Sequence, residues 1–253
     1  MKTNYRFFLG GHDLEMQAIR ELLEAQGYQQ DQDFFDRNLS WGASLGDYED
    51  LFTEDHTHVC IELTEKGAPL PKHYLRIDHH DELSDRSASI EQLANLLGID
   101  LTREQQLIAA NDKGYIPAME AMGASPEEIA KIRKADRRAQ GVTEADEEQA
   151  IQDLQHLKQY QDLVVVKTKL STFSPIVDRL YEEKQKLIYS PEELTYYGPM
   201  REVLVDHFAE EVEDKQAYYG GAARNGFFGI GSGHFSPAEI QQYVQTIRQL
   251  TCT

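Results

Sequence analysis

Leu75-Arg76-Ile77-Asp78-His79-His80 is an apolar, strand-like run that ends abruptly in three side chains able to bind a metal. His is the commonest transition-metal ligand and Asp a hard partner for it, so Asp-His-His at a strand tip presents both donor types within one turn of backbone. A solvated polar loop after an edge strand accounts for the same three residues. The surrounding sequence has to separate the two readings.

Working outward, Tyr5-Arg6-Phe7-Phe8-Leu9 is a short apolar run punctuated by Gly10-Gly11, and Leu14, Ala18, Ile19, Leu22 and Leu23 then recur at helical spacing up to Ala25. His58-Val59-Cys60-Ile61-Glu62-Leu63 reads as a second buried strand, and His73-Tyr74-Leu75-Arg76-Ile77 as a third. Ile90, Leu93, Ala94, Leu96 and Leu97 form the apolar side of a further helix, with Ser87 or Ser89 available to cap it and Gly98 to stop it. Strands alternating with helices predict an α/β fold with a mostly parallel sheet flanked by helices. The ligand crevice of such a sheet lies beyond the carboxyl ends of its strands.

Residues 126–160 are helical in pattern and heavily charged, with Gly141 as a break; Arg137 and Arg138 read as part of a solvated helix face. Leu163-Val164-Val165-Val166-Lys167 then opens a second α/β unit, with a helix around 175–186, a strand near 194–197, a helix over 200–213 and a glycine-rich segment from Gly220 to Gly233. The expected organisation is a metal-binding domain over 1–140, a helical linker over 141–162 and a smaller substrate-binding α/β domain over 163–253. Gly229-x-Gly231-x-Gly233 is no dinucleotide fingerprint, because too little chain follows it to build a βαβ unit.

The balance of 44 acidic against 25 basic residues gives a formal charge of -19, which disfavours duplex DNA or an anionic membrane held by bulk charge. Two cysteines, Cys60 and Cys252, cannot build a disulfide framework, so a reducing cytoplasm is the expected location. The apolar run at 5–9 is too short for the core of a signal peptide, and no stretch approaches membrane-spanning length.

Asp13 and Glu15 directly follow the first strand. Together they suit a hard divalent cation, although each also favours the start of the next helix. Glu62 sits among apolar strand residues, where it needs either a solvated face or a cation. Asp112 lies between an apolar helical stretch and Gly114, in a place that equally suits a turn, and Lys113 adds a positive charge beside it. Taken singly, each of these residues has an ordinary structural explanation. Taken together, they place carboxylates and imidazoles at successive element ends of one sheet.

That ordered set resembles the DHH phosphoesterase superfamily, which includes RecJ-like exonucleases, oligoribonucleotide-degrading phosphodiesterases and family II pyrophosphatases. Asp13-Leu14-Glu15 resembles its first motif, Glu62 its second, Asp78-His79-His80 its third and Asp112 its fourth. Gly220-Gly221-Ala222-Ala223-Arg224-Asn225-Gly226 resembles a diverged form of the substrate loop found in DHH-associated domains. The family's His four residues before the first Asp is Leu9 here, and Glu stands for Asp at 15 and 62.

The resemblance implies two Mn2+ ions, with Mg2+ as the alternative. Asp13 and Glu62 would serve one ion, and Glu15, Glu62, His79 and Asp112 the other. It further implies His80 and Asp78 in the catalytic step, and Gly220, Gly221, Arg224 and Asn225 at the substrate; Lys113 suits a phosphate as well as an ordinary surface position, and Phe227 or Phe228 suits stacking on a base, although such aromatics more often fill a core. The expected activity is hydrolysis of a phosphodiester or phosphoanhydride in a small nucleotide or short oligonucleotide by a metal-activated water. The alternative is a catalytically degenerate nucleotide-binding or partner protein, and a homodimer is left open.

Overall fold

The computed structural model describes residues 4–40, 42–221 and 226–252, which divide into two compact units, Met1–Gly141 and Val142–Thr253. In the first, strand β1 (Tyr5–Leu9) leads into helix α1 (Leu14–Ala25), the short strand β2 (Phe34–Asp36), and strands β3 (Thr57–Ile61) and β4 (Tyr74–Ile77). These strands form a wholly parallel sheet in the order β2-β1-β3-β4. The chain leaves β1 toward β2 on one side and returns as β3 on the other. A topological switch point therefore lies between the carboxyl ends of β1 and β3, where open parallel sheets bind ligands.

Alternation along the strands builds two buried faces. Phe8 and Cys60 join Phe35, Leu45, Tyr48 and Leu63 on one face, while Phe7, Leu9, Val59 and Ile61 are fully buried on the other. Phe8 touches Phe35, Tyr48 and Phe52 at ring separations of 5.3, 5.4 and 5.1 Å, and burying a ring of this size contributes about 2–3 kcal/mol. The Tyr48 hydroxyl donates to the Leu9 carbonyl at 2.7 Å and so fixes the tip of β1.

Helices α2 (Ser89–Leu97), α3 (Arg103–Ala121) and α4 (Pro126–Ala139) complete the unit. Gly98 in the left-handed region stops α2 as expected, but the N-cap is Ala88, and Ser89 is the first helical residue. Helix α3 is broken at Gly114 and Tyr115, the latter at φ 60°, ψ −150°. Arg137 is buried rather than solvated, whereas Arg138 is exposed.

In the second unit, α5 (Glu144–Leu154) and strand β5 (Lys158–Tyr160) precede β6 (Leu163–Lys167), α6 (Ser174–Arg179), β7 (Gln185–Tyr189), β8 (Leu194–Tyr197), α7 (Arg201–His207), α8 (Ala209–Glu213), β9 (Ala217–Gly220), β10 (Phe227–Ile230) and α9 (Pro237–Thr251). The six strands form one mixed sheet, β5-β6-β7-β8-β10-β9. Of the stretch 141–162, expected as a linker, residues 142–162 belong to this unit: Ala150 of α5 packs with Val164 and Val166, and β5 pairs with β6. The helix expected to reach 186 ends at Arg179, because Gln185 and Lys186 begin β7. Among the described residues, no helix is long and apolar enough to cross a membrane.

Candidate metal centre

Three strand ends and one broken helix deliver the polar residues of the first unit to the switch point. After β1, Gly10 lets the chain pass hard against β3. A Cβ there would run into the Glu62 carbonyl oxygen, so no side chain fits. Asp13 then caps α1 by accepting the Met16 backbone N–H at 2.8 Å, and Glu15 enters the first turn of that helix. Glu62 stands one residue beyond β3 rather than inside it, with a left-handed φ of 55° that is unusual for a residue with a side chain. Strain of this kind, of order 1–3 kcal/mol, persists where surrounding structure imposes it and clusters at functional sites.

At the end of β4, Asp78 turns to its own strand and away from the other carboxylates. Its Oδ2 accepts from Arg76 Nε and Nη2 at 3.0 and 2.6 Å, and its Oδ1 accepts from the His80 backbone N–H at 3.0 Å. Both oxygens of Asp78, the residue expected in the chemical step, are thus engaged by hydrogen bonds. The residue forms a clamp between Arg76 and the backbone that carries the two histidines. Asp112 comes from α3, two residues before the break at Gly114. Arg133 of α4 braces that break, with its guanidinium 4.4 Å from the Tyr115 ring and hydrogen bonds to Asn111 and Asp136 at 2.8 and 2.6 Å.

Four donors meet there. His79 Nε2 lies 2.7 Å from Asp112 Oδ2 and 3.5 Å from both Glu15 Oε2 and Glu62 Oε1. All four atoms are shielded from solvent, with Glu15 only 2% and His79 6% exposed, and apart from the 2.7 Å ion-pair approach of His79 to Asp112 none makes a well-angled hydrogen bond. Buried polar atoms are ordinarily satisfied, so four orphans aimed at one point are what a cation would resolve. The donor atoms of Glu15, Glu62, His79 and Asp112 lie within 4.8 Å of one another. Donors on one ion at bonds of about 2.0–2.2 Å stand about 3–4.4 Å apart, so small adjustments close the set. Three carboxylates with one imidazole suit an oxygen-preferring divalent ion such as Mn2+ or Mg2+. A Cβ at Gly11 would come within 3.3 Å of Glu62 Oε2, so this glycine keeps space beside the ligand set.

The electrostatics of the cluster reflect its crowding. Burial pushes the Glu15 carboxyl well above its usual range, with the charges of Asp112 and Glu62 adding to the effect. Burial and the Glu62 charge raise Asp13 to about 7 against the Met16 hydrogen bond. Burial opposes charge on His79, yet the carboxylates of Asp112, Glu15 and Glu62 outweigh it and lift the imidazole to about 12. Burial likewise opposes charge on Glu62, but His79 and His80 hold its carboxyl well below the ordinary value.

The other expected residues fall less directly. Asp13 sits beside the cluster without joining its ligand groups, and His12 is exposed. His80 lies with Nε2 3.5 Å from Glu62 Oε2 and its side chain 40% exposed, at the rim. Lys113 Nζ donates to the carbonyls of Ser84, at 2.8 Å, and Arg86, which leaves one of its three N–H groups for another acceptor. Gly220 ends β9 and Gly221 follows it, both with carbonyls facing Arg201. Arg224 and Asn225 lie outside the described residues. Phe228 fills the core of the second unit, which removes it as a stacking surface, while Phe227 is partly buried.

Sequence reasoning missed three supports: Arg76, Arg133, and the start of α2, where the Ile90 N–H donates to Glu15 Oε1 at 2.9 Å. Arg76 was accessible from the period-two rule, since it shares a strand face with Asp78. The other two depend on contacts between segments far apart in sequence.

No protein-family model matches the chain, and no curated protein matches it. Among solved structures, the chain is similar to the DHH domain of a member of a ribosomal-protein family, at 12% identity and a TM-score of 0.43, covering 94% of this chain and 73% of that one.

Proposed function

We propose that this protein is a metal-dependent phosphoesterase that hydrolyses a phosphodiester or phosphoanhydride in a small nucleotide or short oligonucleotide. The observation that carries the reading is the convergence of four buried, orphaned donor atoms from Glu15, Glu62, His79 and Asp112 at the switch point of a parallel sheet. A divalent cation held by them would lower the pKa of a water and offset charge on the phosphoryl oxygens.

The chain's own residues supply the remaining functions. The Ile90 N–H holds Glu15 in one orientation. The Asp78 clamp holds the backbone of His80 against β4. His80 stands at the rim, where Glu62 favours its charged form, so its Nε2–H is placed to donate to a phosphoryl oxygen. The acidic surface favours a small substrate entering a cleft over a long polyanion. A nucleotide-binding protein without turnover is the rival, and Leu9, fully buried where the resemblance has a His, is the observation in its favour.

The test is release of product from bis-p-nitrophenyl phosphate, from the dinucleotide pApA and from a short RNA in the presence of Mn2+. His79→Ala should lower the rate by on the order of 10²-fold or more, since even a supporting shell residue is worth about 10–100-fold. Equal, slow release by wild type and His79→Ala removes the enzyme reading.

A further inference from the structure

We infer that the centre holds one divalent cation, not two, in the absence of substrate, with Glu15, Glu62, His79 and Asp112 as its protein ligands; this rests on the metal-dependent reading above. Among the described residues, two groups of donors converge closely enough to share an ion, Glu15–Glu62–His79–Asp112 and Glu62–His79–His80. The groups are not independent, because both draw on Glu62 and His79.

An imidazole nitrogen has a single lone pair, so Nε2 can bond one ion only. His79 Nε2 faces the three carboxylates of the larger group, at 2.7, 3.5 and 3.5 Å. Glu62 divides between the groups, with Oε1 toward His79 and Oε2 toward His80, each at 3.5 Å. Once His79 serves the larger group, the smaller retains Glu62 Oε2 and His80 Nε2. Two donors are too few to hold an ion that prefers octahedral coordination without several further ligands from outside the protein.

The neighbouring side chains do not make up the deficit. Asp13 uses Oδ1 to cap α1 and belongs to neither group. His12 is exposed and also belongs to neither. Leu9 is apolar and fully buried in the sheet. The ligand supply therefore falls from four at one place to two at the other.

The experiment takes the full chain, strips it with a chelator and titrates it with Mn2+ by calorimetry and electron paramagnetic resonance. One equivalent is expected, with the six-line spectrum of an isolated ion. His80→Ala, at a half-exposed position that should leave folding intact, keeps that equivalent, whereas Glu15→Gln weakens it at least tenfold. Two equivalents of similar affinity with an exchange-coupled spectrum overturn the single-ion inference and leave metal dependence standing. Absence of any binding overturns both.

Discussion

Glu15 shows how a residue proposed as a metal ligand works against the stability of the metal-free fold. Its Oε1 is satisfied by Ile90, while Oε2 is buried and orphaned beside two other carboxylates. A Gln retains the acceptor for Ile90 and replaces the repelling oxygen with an N–H donor. Glu15→Gln should therefore stabilise the metal-free protein by about 1 kcal/mol, or roughly 2–4 °C in Tm, and abolish most of the further rise that Mn2+ produces in wild type. Thermal unfolding with and without the ion measures both. An amide variant less stable than wild type without metal means that the carboxylates do not strain one another. Glu62 adds a second local cost in its left-handed backbone, so the fold gives up favourable energy at two of the four proposed ligand positions.

At the scale of elements, β4 functions through its end. Arg76 and Asp78 sit two apart on one face, and their paired hydrogen bonds leave Asp78 Oδ1 to hold the His80 N–H. Arg76→Met keeps the aliphatic stem but strands a buried carboxylate, so it should destabilise the fold by about 1–3 kcal/mol and weaken Mn2+ binding about 10–100-fold. Arg76→Lys, which cannot reproduce the two-pronged contact, should fall between. Denaturation and calorimetry read the two effects, and unchanged affinity removes the clamp from the centre.

The same elements show how far the sequence could be read. β1, α1, β3 and β4 were visible because apolar residues recur at clear strand or helix periods, and the carboxylates stand out against those apolar ends. β2 is only three residues long. β7 was hidden because it starts with Gln185 and the buried Lys186, whose Nζ reaches the Glu183 carbonyl. β9 and β10 enclose glycines that resemble a loop, but Gly229 is where the Tyr218 ring lies across the sheet. The Arg76–Asp78 pairing is legible from the period-two alternation that puts both residues on one strand face, but the two adjacent histidines draw the reading of Asp78 toward a metal instead.

Across the whole molecule, the charge of -19 acts on every anion that approaches. A polyanion is repelled more than a dinucleotide, and salt screens the repulsion over about 8–10 Å at 0.1–0.15 M. KM for a short RNA should therefore fall as ionic strength rises from about 0.01 to 0.15 M, by a larger factor than KM for pApA, which is the opposite of the behaviour of proteins that grip nucleic acid through basic patches. Steady-state kinetics across a salt series decides it; a KM for RNA that rises with salt instead points to a local basic track that overrides the net charge. The acidic field also concentrates divalent cations near the proposed centre. Gly10 places a different condition on the molecule. The space between the β1 tip and the Glu62 carbonyl excludes even a methyl group, so a Gly10→Ala change would wedge the two central strands apart at the point where the ligands gather. The proposed centre can therefore be lost through the gain of a single carbon as readily as through the loss of a carboxylate.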